Sequence, residues 1–83
     1  MKNVVITGST RGIGLAMAKE FLKAGCNVTL SGRGESLSPE VFEALQPYLG
    51  HYQYVACDVQ KRAEHEALWS AAVATFGAVD IWI

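Results

Sequence analysis

The chain has 83 residues, of which 51% are hydrophobic and 18% are charged, and its formal net charge at pH 7 is −1. This composition is typical of one small packed domain and excludes a disordered segment. The nearly balanced charge gives no support for a nucleic-acid-binding surface or for binding to an anionic membrane.

The first predicted elements are a strand and a helix. Val4–Thr7 is a β-branched apolar run, which predicts the first strand. Gly12–Ala24 predicts an amphipathic helix that ends before Gly25, a residue suited to a left-handed helix terminus. Its apolar stripe consists of Ile13, Met17, Phe21 and Ala24. Asn27–Ser31 then predicts the second strand.

A short helix and a third strand are predicted in the middle of the chain. Ser38 and Pro39 form a favourable N-cap and first-turn pair, so a helix is expected to begin here. It is expected to run to about Gln46, because Pro47 cannot continue a helix. Tyr52–Asp58 predicts the third strand.

The last predicted elements are a longer helix and a fourth strand. Lys61–Phe76 predicts the helix, Gly77 its end, and Val79–Ile83 the strand. Strands and helices therefore alternate along the whole chain, which predicts an α/β fold with a parallel sheet. The first and fourth strands lack a polar face, as expected where helices cover both sides of a sheet.

Three glycines lie between the first strand and the first helix. A helix N-terminus exposes unpaired N–H groups and partial positive charge, and glycine lets a phosphate approach the backbone closely. In such a site Gly8 allows the tight turn, Gly12 lies near a pyrophosphate, and Gly14 permits close packing of helix and strand. A purely structural turn is the alternative, but the preceding strand and following helix favour a dinucleotide site.

The spacing of this loop resembles the TGxxxGxG pattern of the short-chain dehydrogenase/reductase family, with Thr7 as its first residue. Three further segments agree in order: Gly32–Arg33, Cys57–Val59 ("CDV"), and "VDIWI", which resembles the strand before the family's NNAG motif. The resemblance implies that residues 1–83 are the N-terminal part of a Rossmann doubly wound sheet with strand order 3-2-1-4. "ITGSTRGIG" with "DIWI" also resembles the chlorophyll b reductase branch, through residues common in the family.

The resemblance also implies a set of cofactor-binding residues. The backbone of the loop would hold the pyrophosphate and the adenosine ribose, through Gly8, Ser9, Thr10, Arg11, Gly12, Ile13 and Gly14. Asp58 would hydrogen-bond the adenine amino group, with the Val59 backbone beside it. Capping of the following turn is the alternative role for Asp58.

The residues after the second strand predict which nicotinamide cofactor is preferred. A site for NAD needs a carboxylate there to accept from the ribose 2′-hydroxyl, but position 32 is glycine. Arg33 follows directly and Arg11 lies in the glycine loop, and both would favour a 2′-phosphate. We therefore predict NADP(H) over NAD(H). Glu35 is a rival acceptor, and solvated surface charge is the alternative role for each arginine.

Catalytic residues are not predicted in this chain. The resemblance implies hydride transfer between nicotinamide and a small-molecule carbonyl or alcohol substrate, with a Ser, a Tyr and a Lys in the site. The YxxxK signature is not present, because Tyr48, Tyr52 and Tyr54 are followed four positions later by Tyr52, Ala56 and Asp58. The isolated chain is expected to be inactive, and a small non-catalytic nucleotide-binding or interaction module is the alternative.

Other side chains are predicted to be structural. The histidines and cysteines show no metal-ligand spacing, so no metal site is expected. His65 is expected on a solvated helix face, and Trp69 and Trp82 in the core or the buried sheet. The apolar run Val4–Ile6 is too short for a signal or membrane segment, and a cytoplasmic protein with reduced thiols is expected. The resemblance allows a homo-oligomer.

Overall fold

The structure is a computed structural model that describes residues 2–9, 12–34, 36–58 and 61–83. Within these ranges four strands alternate with three α-helices, and a 3₁₀ turn follows the second helix. The elements are β1 (Asn3–Ile6), α1 (Gly12–Lys23), β2 (Asn27–Gly32), α2 (Pro39–Ala44), the 3₁₀ turn (Gln46–Tyr48), β3 (Tyr52–Ala56), α3 (Arg62–Phe76) and β4 (Ile81–Trp82).

The strands form one parallel sheet in the order β3-β2-β1-β4. Register along the centre of the sheet places Val5 opposite Thr29 of β2 and Trp82 of β4. Both the α/β architecture and the predicted 3-2-1-4 strand order are therefore confirmed. Since each connection between parallel strands must cross over the sheet, the helices lie on its faces.

Helices cover both faces of β1. Val4 and Ile6 belong to a core cluster that includes residues of α1 and α2, whereas Val5 packs with Leu68 and Ala72 of α3. Successive side chains of a strand point to opposite faces, so an unbroken apolar run fits a strand buried on both sides. All three residues are at most 1% exposed.

The buried face of α1 differs from the apolar stripe noted in the sequence. Ala18 and Leu22 are buried against the sheet, while Ile13 is 81% exposed. Met17 and Phe21 are half-buried at the side of the core cluster. The helix has two apolar stripes of similar period, and the one that contains the small Ala18 lies closest to the strands. Apolar period alone therefore predicted the helix but did not identify Ala18 and Leu22 as its buried residues.

The second helix begins as predicted and ends earlier. The Ser38 hydroxyl accepts a hydrogen bond from the backbone N–H of Val41 at 3.4 Å, and Pro39 is the first helical residue. The α-helix ends at Ala44 rather than near Gln46, and the chain continues into the 3₁₀ turn that contains Pro47. Proline near the start of that turn loses no helical hydrogen bond, which explains the change of helix type.

The fourth strand is shorter than predicted, although its hydrogen bonds to β1 extend further. The backbone N–H of Asp80 donates to the Asn3 carbonyl at 2.9 Å, and that of Ile83 donates to the Val5 carbonyl at 2.8 Å. The Asp80 carboxylate also accepts from the Asn3 N–H at 2.8 Å. Backbone pairing thus spans residues 80–83, while regular strand geometry is limited to Ile81–Trp82.

An exposed aromatic cluster lies between α3 and β4. Trp69 is 49% exposed and Trp82 is 37% exposed, so their predicted place in the core is wrong. The two indole rings lie 5.7 Å apart, and His65 stacks on Trp82 at 6.2 Å. His65 is half-buried rather than fully solvated. Among the described residues β4 pairs only with β1, so Trp82 lies at an edge of the sheet.

A polar network joins the sheet to α3. The Gln53 side-chain nitrogen donates to the Thr29 hydroxyl and to the Ala71 carbonyl, both at 3.1 Å. Its oxygen accepts from the Thr75 hydroxyl at 2.9 Å. Thr29 is only 1% exposed, so Gln53 satisfies a polar group that water does not reach.

Gln53→Leu is expected to lower the free energy of unfolding by about 1–3 kcal/mol, because it leaves the buried Thr29 hydroxyl without this donor. Urea unfolding measures the loss. The double variant Gln53→Leu/Thr29→Val should lose less than the single variant, because replacing both partners by apolar groups removes the unsatisfied group. A double variant that is less stable than Gln53→Leu would contradict this account.

Candidate cofactor-binding site

A cleft of about 920 Å³ opens at the carboxyl ends of β1, β2 and β3. The loop after β1 contributes Gly8 and Gly12, the end of β2 contributes Gly32 and Arg33, and the end of β3 contributes Asp58. Parallel sheets bind ligands at this end, where the loops after neighbouring strands meet. The structure thus brings five of the residues predicted from the sequence into one wall.

Gly12 is the first residue of α1 and has a φ of +63°, a conformation that side chains disfavour. A Cβ built on it would meet nothing within 4 Å among the described residues. Gly8, with a φ of +60°, is equally open. The space around Gly12, open among the described residues, thus lies at the N-terminus of a twelve-residue helix, the end at which a helix carries partial positive charge.

Gly14 is required for a close approach of another kind. A Cβ at this position would lie 2.5 Å from the Gly8 carbonyl oxygen and 3.0 Å from Cα of Ser9. The sequence predicted close packing of helix against strand, and the structure shows that the close partner is the loop after the strand. The absence of a side chain at Gly14 therefore allows the loop to lie directly against the helix.

The Ser9 side chain is used inside the protein. Its hydroxyl donates to the Ile6 carbonyl at 2.7 Å and accepts from the Ser31 N–H at 2.9 Å. The Ser9 backbone N–H donates to the Ser31 carbonyl at 2.9 Å, and the residue is fully buried. Ser9 therefore ties the glycine loop to β2, a role that sequence analysis did not assign to it.

The remaining residues of the predicted loop differ in position. Ile13 is strongly exposed and is not part of the cleft wall. Thr10 and Arg11, together with Val59 and the rival acceptor Glu35, lie outside the described residues.

Asp58 lies between the cleft and the turn into α3. It borders the cleft, and its backbone N–H donates to a carboxylate oxygen of Glu64 at 3.0 Å. Its carbonyl accepts from the Lys61 N–H at 2.9 Å, which forms the turn into α3. The turn thus fixes the main chain of Asp58 at the edge of the cleft.

The cleft wall contains residues that sequence analysis did not select. Tyr54, Ser36, Ser38 and Glu40 line it beside Arg33. Tyr54 could have been found from the period of β3, which places it two residues before the strand's end and on the face that packs against α1 and α2. Ser36 lies in the loop after β2, and Ser38 and Glu40 lie at the start of α2. Their position at the cleft depends on the path of that loop, which has no regular period.

Two titratable groups of the wall are held neutral. Burial raises the pKa of the Cys57 thiol, and the charges of Glu64 and Asp58 raise it further. Burial also raises the pKa of the Tyr54 hydroxyl. Cys57 is 2% exposed and therefore acts as an apolar wall residue, and the Tyr54 hydroxyl acts as a hydrogen-bond donor.

The described residues contain no group of three or more His, Cys, Asp or Glu side chains placed to hold a metal ion. In that part of the chain, none of the helices combines the length and apolar character needed to cross a bilayer.

Two solved structures of similar fold were determined with a nicotinamide cofactor. Actinorhodin polyketide ketoreductase, solved with NADPH, is 33% identical with a TM-score of 0.86 over 98% of this chain and 31% of that chain. The 3-ketoacyl-(acyl-carrier-protein) reductase of Brucella melitensis, complexed with NADH, is 34% identical with a TM-score of 0.83 over 98% of this chain and 32% of that chain. The chain is thus similar to proteins solved with either cofactor.

Sequence comparison agrees with the structural similarity. The chain is 42% identical to a chloroplastic chlorophyll(ide) b reductase, NOL, of Oryza sativa subsp. japonica, over 98% of this chain. It spans only 24% of that relative's length. A family model described as short chain dehydrogenase matches residues 2–83. The chain therefore belongs to the short-chain dehydrogenase/reductase family and corresponds to the N-terminal region of its members.

Proposed function

We propose that this chain is the NADP(H)-binding segment of an oxidoreductase that transfers hydride between nicotinamide and a small-molecule carbonyl or alcohol substrate. The observation that carries the proposal is at the N-terminus of α1, where no described residue lies within 4 Å of a Cβ built on Gly8 or Gly12. Family membership supports the reaction class, because the relatives described above are reductases.

The residues of the cleft fit a dinucleotide. The backbone N–H groups in the first turn of α1 would hold the pyrophosphate, and Asp58 would accept from the adenine amino group. A bound nicotinamide would donate hydride to a carbonyl substrate or accept it from an alcohol. This chain's own residues bind and orient the cofactor, while the Ser9 hydroxyl holds the loop to β2.

The charges beside β2 support a preference for NADP(H). Arg33 borders the cleft next to Gly32, where a carboxylate would repel a 2′-phosphate. The Ser36 and Ser38 hydroxyls lie in the same wall and add hydrogen-bond donors. Glu40, in the first turn of α2, is an acidic residue of the same wall, and its negative charge opposes the preference.

NADPH is expected to bind more tightly than NADH, and Arg33→Ala should weaken NADPH binding by about tenfold while leaving NADH binding unchanged, because only NADPH carries the 2′-phosphate. Fluorescence or calorimetric titration measures both dissociation constants. Arg62→Ala is the matched control, since Arg62 is an exposed arginine at the start of α3 and outside the cleft wall. Glu40→Gln should strengthen NADPH binding.

A titration in which NADH binds more tightly than NADPH would overturn the cofactor assignment. An equal loss for Arg33→Ala and Arg62→Ala would show that overall charge, rather than a contact of Arg33, governs the affinity. Neither result would affect the assignment of the chain to its family.

We further propose that the 83-residue chain binds cofactor without transferring hydride, because its sequence contains no YxxxK segment. A pure sample with NADPH and a panel of carbonyl substrates is expected to show no cofactor oxidation above the protein-free rate. The names of the relatives cover chlorophyll(ide) b and polyketide substrates, so the proposal extends only to the carbonyl or alcohol class. Turnover by the isolated chain would contradict it.

We propose a cytoplasmic location and a homo-oligomeric assembly. Cys26 and Cys57 are both free thiols, which supports a reducing compartment. The rice relative is chloroplastic. Microscopy of a fluorescent fusion protein distinguishes the cytoplasm from an organelle.

A further inference from the structure

The segment Gly32–Gly34 is attached to β3 at two points, one on each side of Arg33. The Gly32 carbonyl accepts a hydrogen bond from the Cys57 N–H at 2.8 Å. The Gly34 carbonyl accepts a hydrogen bond from the Tyr54 hydroxyl. Arg33 therefore lies between two carbonyl groups that are both anchored to the third strand.

These anchors matter because glycine flanks Arg33 on both sides. Two glycines give a segment large conformational freedom, and ordering each residue on binding has an entropic cost. The attachment through Cys57 uses only main-chain atoms, so it is independent of side-chain identity. The attachment through Tyr54 depends on one hydroxyl group.

We propose that Tyr54 is a positioning residue for 2′-phosphate selection: its hydroxyl fixes the Gly34 carbonyl and thereby holds Arg33 ready for the phosphate. This inference rests on the proposed function, because it assumes that Arg33 meets the 2′-phosphate of NADP(H). Tyr54 acts through Arg33 and not on the cofactor's reacting atoms.

The surroundings of Tyr54 suit this role. Tyr54 pairs with Leu30 in the sheet and its side chain packs against the core cluster that contains Leu30, so the position of its ring is set by the core. Burial raises the pKa of the hydroxyl, which keeps it protonated and able to donate. A rigid donor thus fixes a segment that has little rigidity of its own.

The test is Tyr54→Phe, which removes the hydroxyl and keeps the ring. NADPH binding is expected to weaken by about threefold to tenfold, whereas NADH binding should stay within about twofold of the wild-type value. A purely structural loss would weaken both cofactors equally, so the ratio of the two dissociation constants is the diagnostic quantity. Tyr52→Phe is the matched control, because Tyr52 lies on the same face of β3 and outside the cleft wall.

A double variant shows whether Tyr54 acts through Arg33. In an Arg33→Ala background, Tyr54→Phe should change NADPH affinity by less than about twofold, because the side chain that it positions is gone. If the two changes are instead additive, Tyr54 does not act through Arg33 and the inference is wrong. An unchanged NADPH-to-NADH ratio in Tyr54→Phe overturns it as well.

The same titrations distinguish a failure of the proposed function from a failure of this inference. Wild-type protein that binds neither cofactor, or that prefers NADH, overturns the proposed function and this inference together. Wild-type protein that prefers NADPH, with a Tyr54→Phe variant of equal preference, overturns the inference alone.

Discussion

Gly12→Val is expected to abolish NADPH binding. The valine side chain would project into the space at the N-terminus of α1, where nothing in the described part of the chain lies within 4 Å of a Cβ. That space is where the pyrophosphate is proposed to lie. The backbone at Gly12 also has a φ of +63°, so a β-branched residue strains the loop and shifts the N–H groups that would bind the phosphate.

The matched control for this change is Gly25→Val. Gly25 follows the other end of α1, has a φ of +89°, and is equally open around its Cβ within the described residues. Both substitutions should lower the free energy of unfolding by a similar amount, about 1–3 kcal/mol, because both place a side chain in a left-handed conformation. Only the change at Gly12 should affect NADPH binding.

Titration of both variants with NADPH, together with urea unfolding, separates strain from steric exclusion. Gly12→Ala is the milder variant if the valine variant does not fold, and it should weaken NADPH binding by at least about tenfold, since the backbone strain remains. Undiminished affinity in folded Gly12→Ala would exclude the loop as the pyrophosphate site. An equal loss of NADPH affinity in the Gly25 variant would show that the loss at Gly12 comes from a less stable fold rather than from exclusion of the pyrophosphate.

The order of strands and helices could be predicted from the sequence because each element has a strong local signal. The apolar run of β1 fits a strand covered on both faces, and Ser38–Pro39 marks the start of α2 by its capping chemistry. The face of α1 could not be predicted in the same way, because two apolar stripes with similar period compete. Packing against the sheet selected the stripe with Ala18, and that packing is a long-range property.

The aromatic residues show the same limit. Trp69 and Trp82 are large and apolar, which favours a buried position, yet both lie at the α3–β4 edge of the sheet. The apolar character of tryptophan predicts that its side chain will be buried. The position of its strand or helix relative to the sheet decides which neighbours can bury it. The lack of a polar face in β4 predicted a strand covered on both sides, yet Trp82 is exposed at the edge of the described sheet.

The candidate site was predicted where it depends on strand ends, and its supporting hydrogen bonds were missed where they join residues far apart in the sequence. Gly12 and Arg33 come after predicted strands and Asp58 ends one, so a parallel sheet brings them to one edge. Ser9 and Tyr54 instead act by hydrogen bonds to residues more than 15 positions away, Ser31 and Gly34 respectively. No local period signals such a contact.

Gly14→Ala is expected to destabilise the chain, although alanine is ordinarily the better helix former. Helix propensity alone would favour alanine by about 1 kcal/mol. The new methyl group would lie 2.5 Å from the Gly8 carbonyl oxygen, which is backbone and not a movable side chain. Overpacking of this kind costs about 1–3 kcal/mol or more, so the net effect is a lower free energy of unfolding and a displaced glycine loop.

Ala16→Gly in the same helix provides the control, because Ala16 is exposed and the substitution exchanges the same two residue types in the opposite direction. Alanine should be more stable than glycine at position 16 and less stable at position 14, so the preference changes sign within one turn. Urea unfolding measures both differences, and NADPH titration should show a loss only for Gly14→Ala, since its clash is with the loop that would hold the pyrophosphate. A Gly14→Ala variant of higher stability and unchanged affinity would mean that the Gly8 carbonyl does not press against the helix.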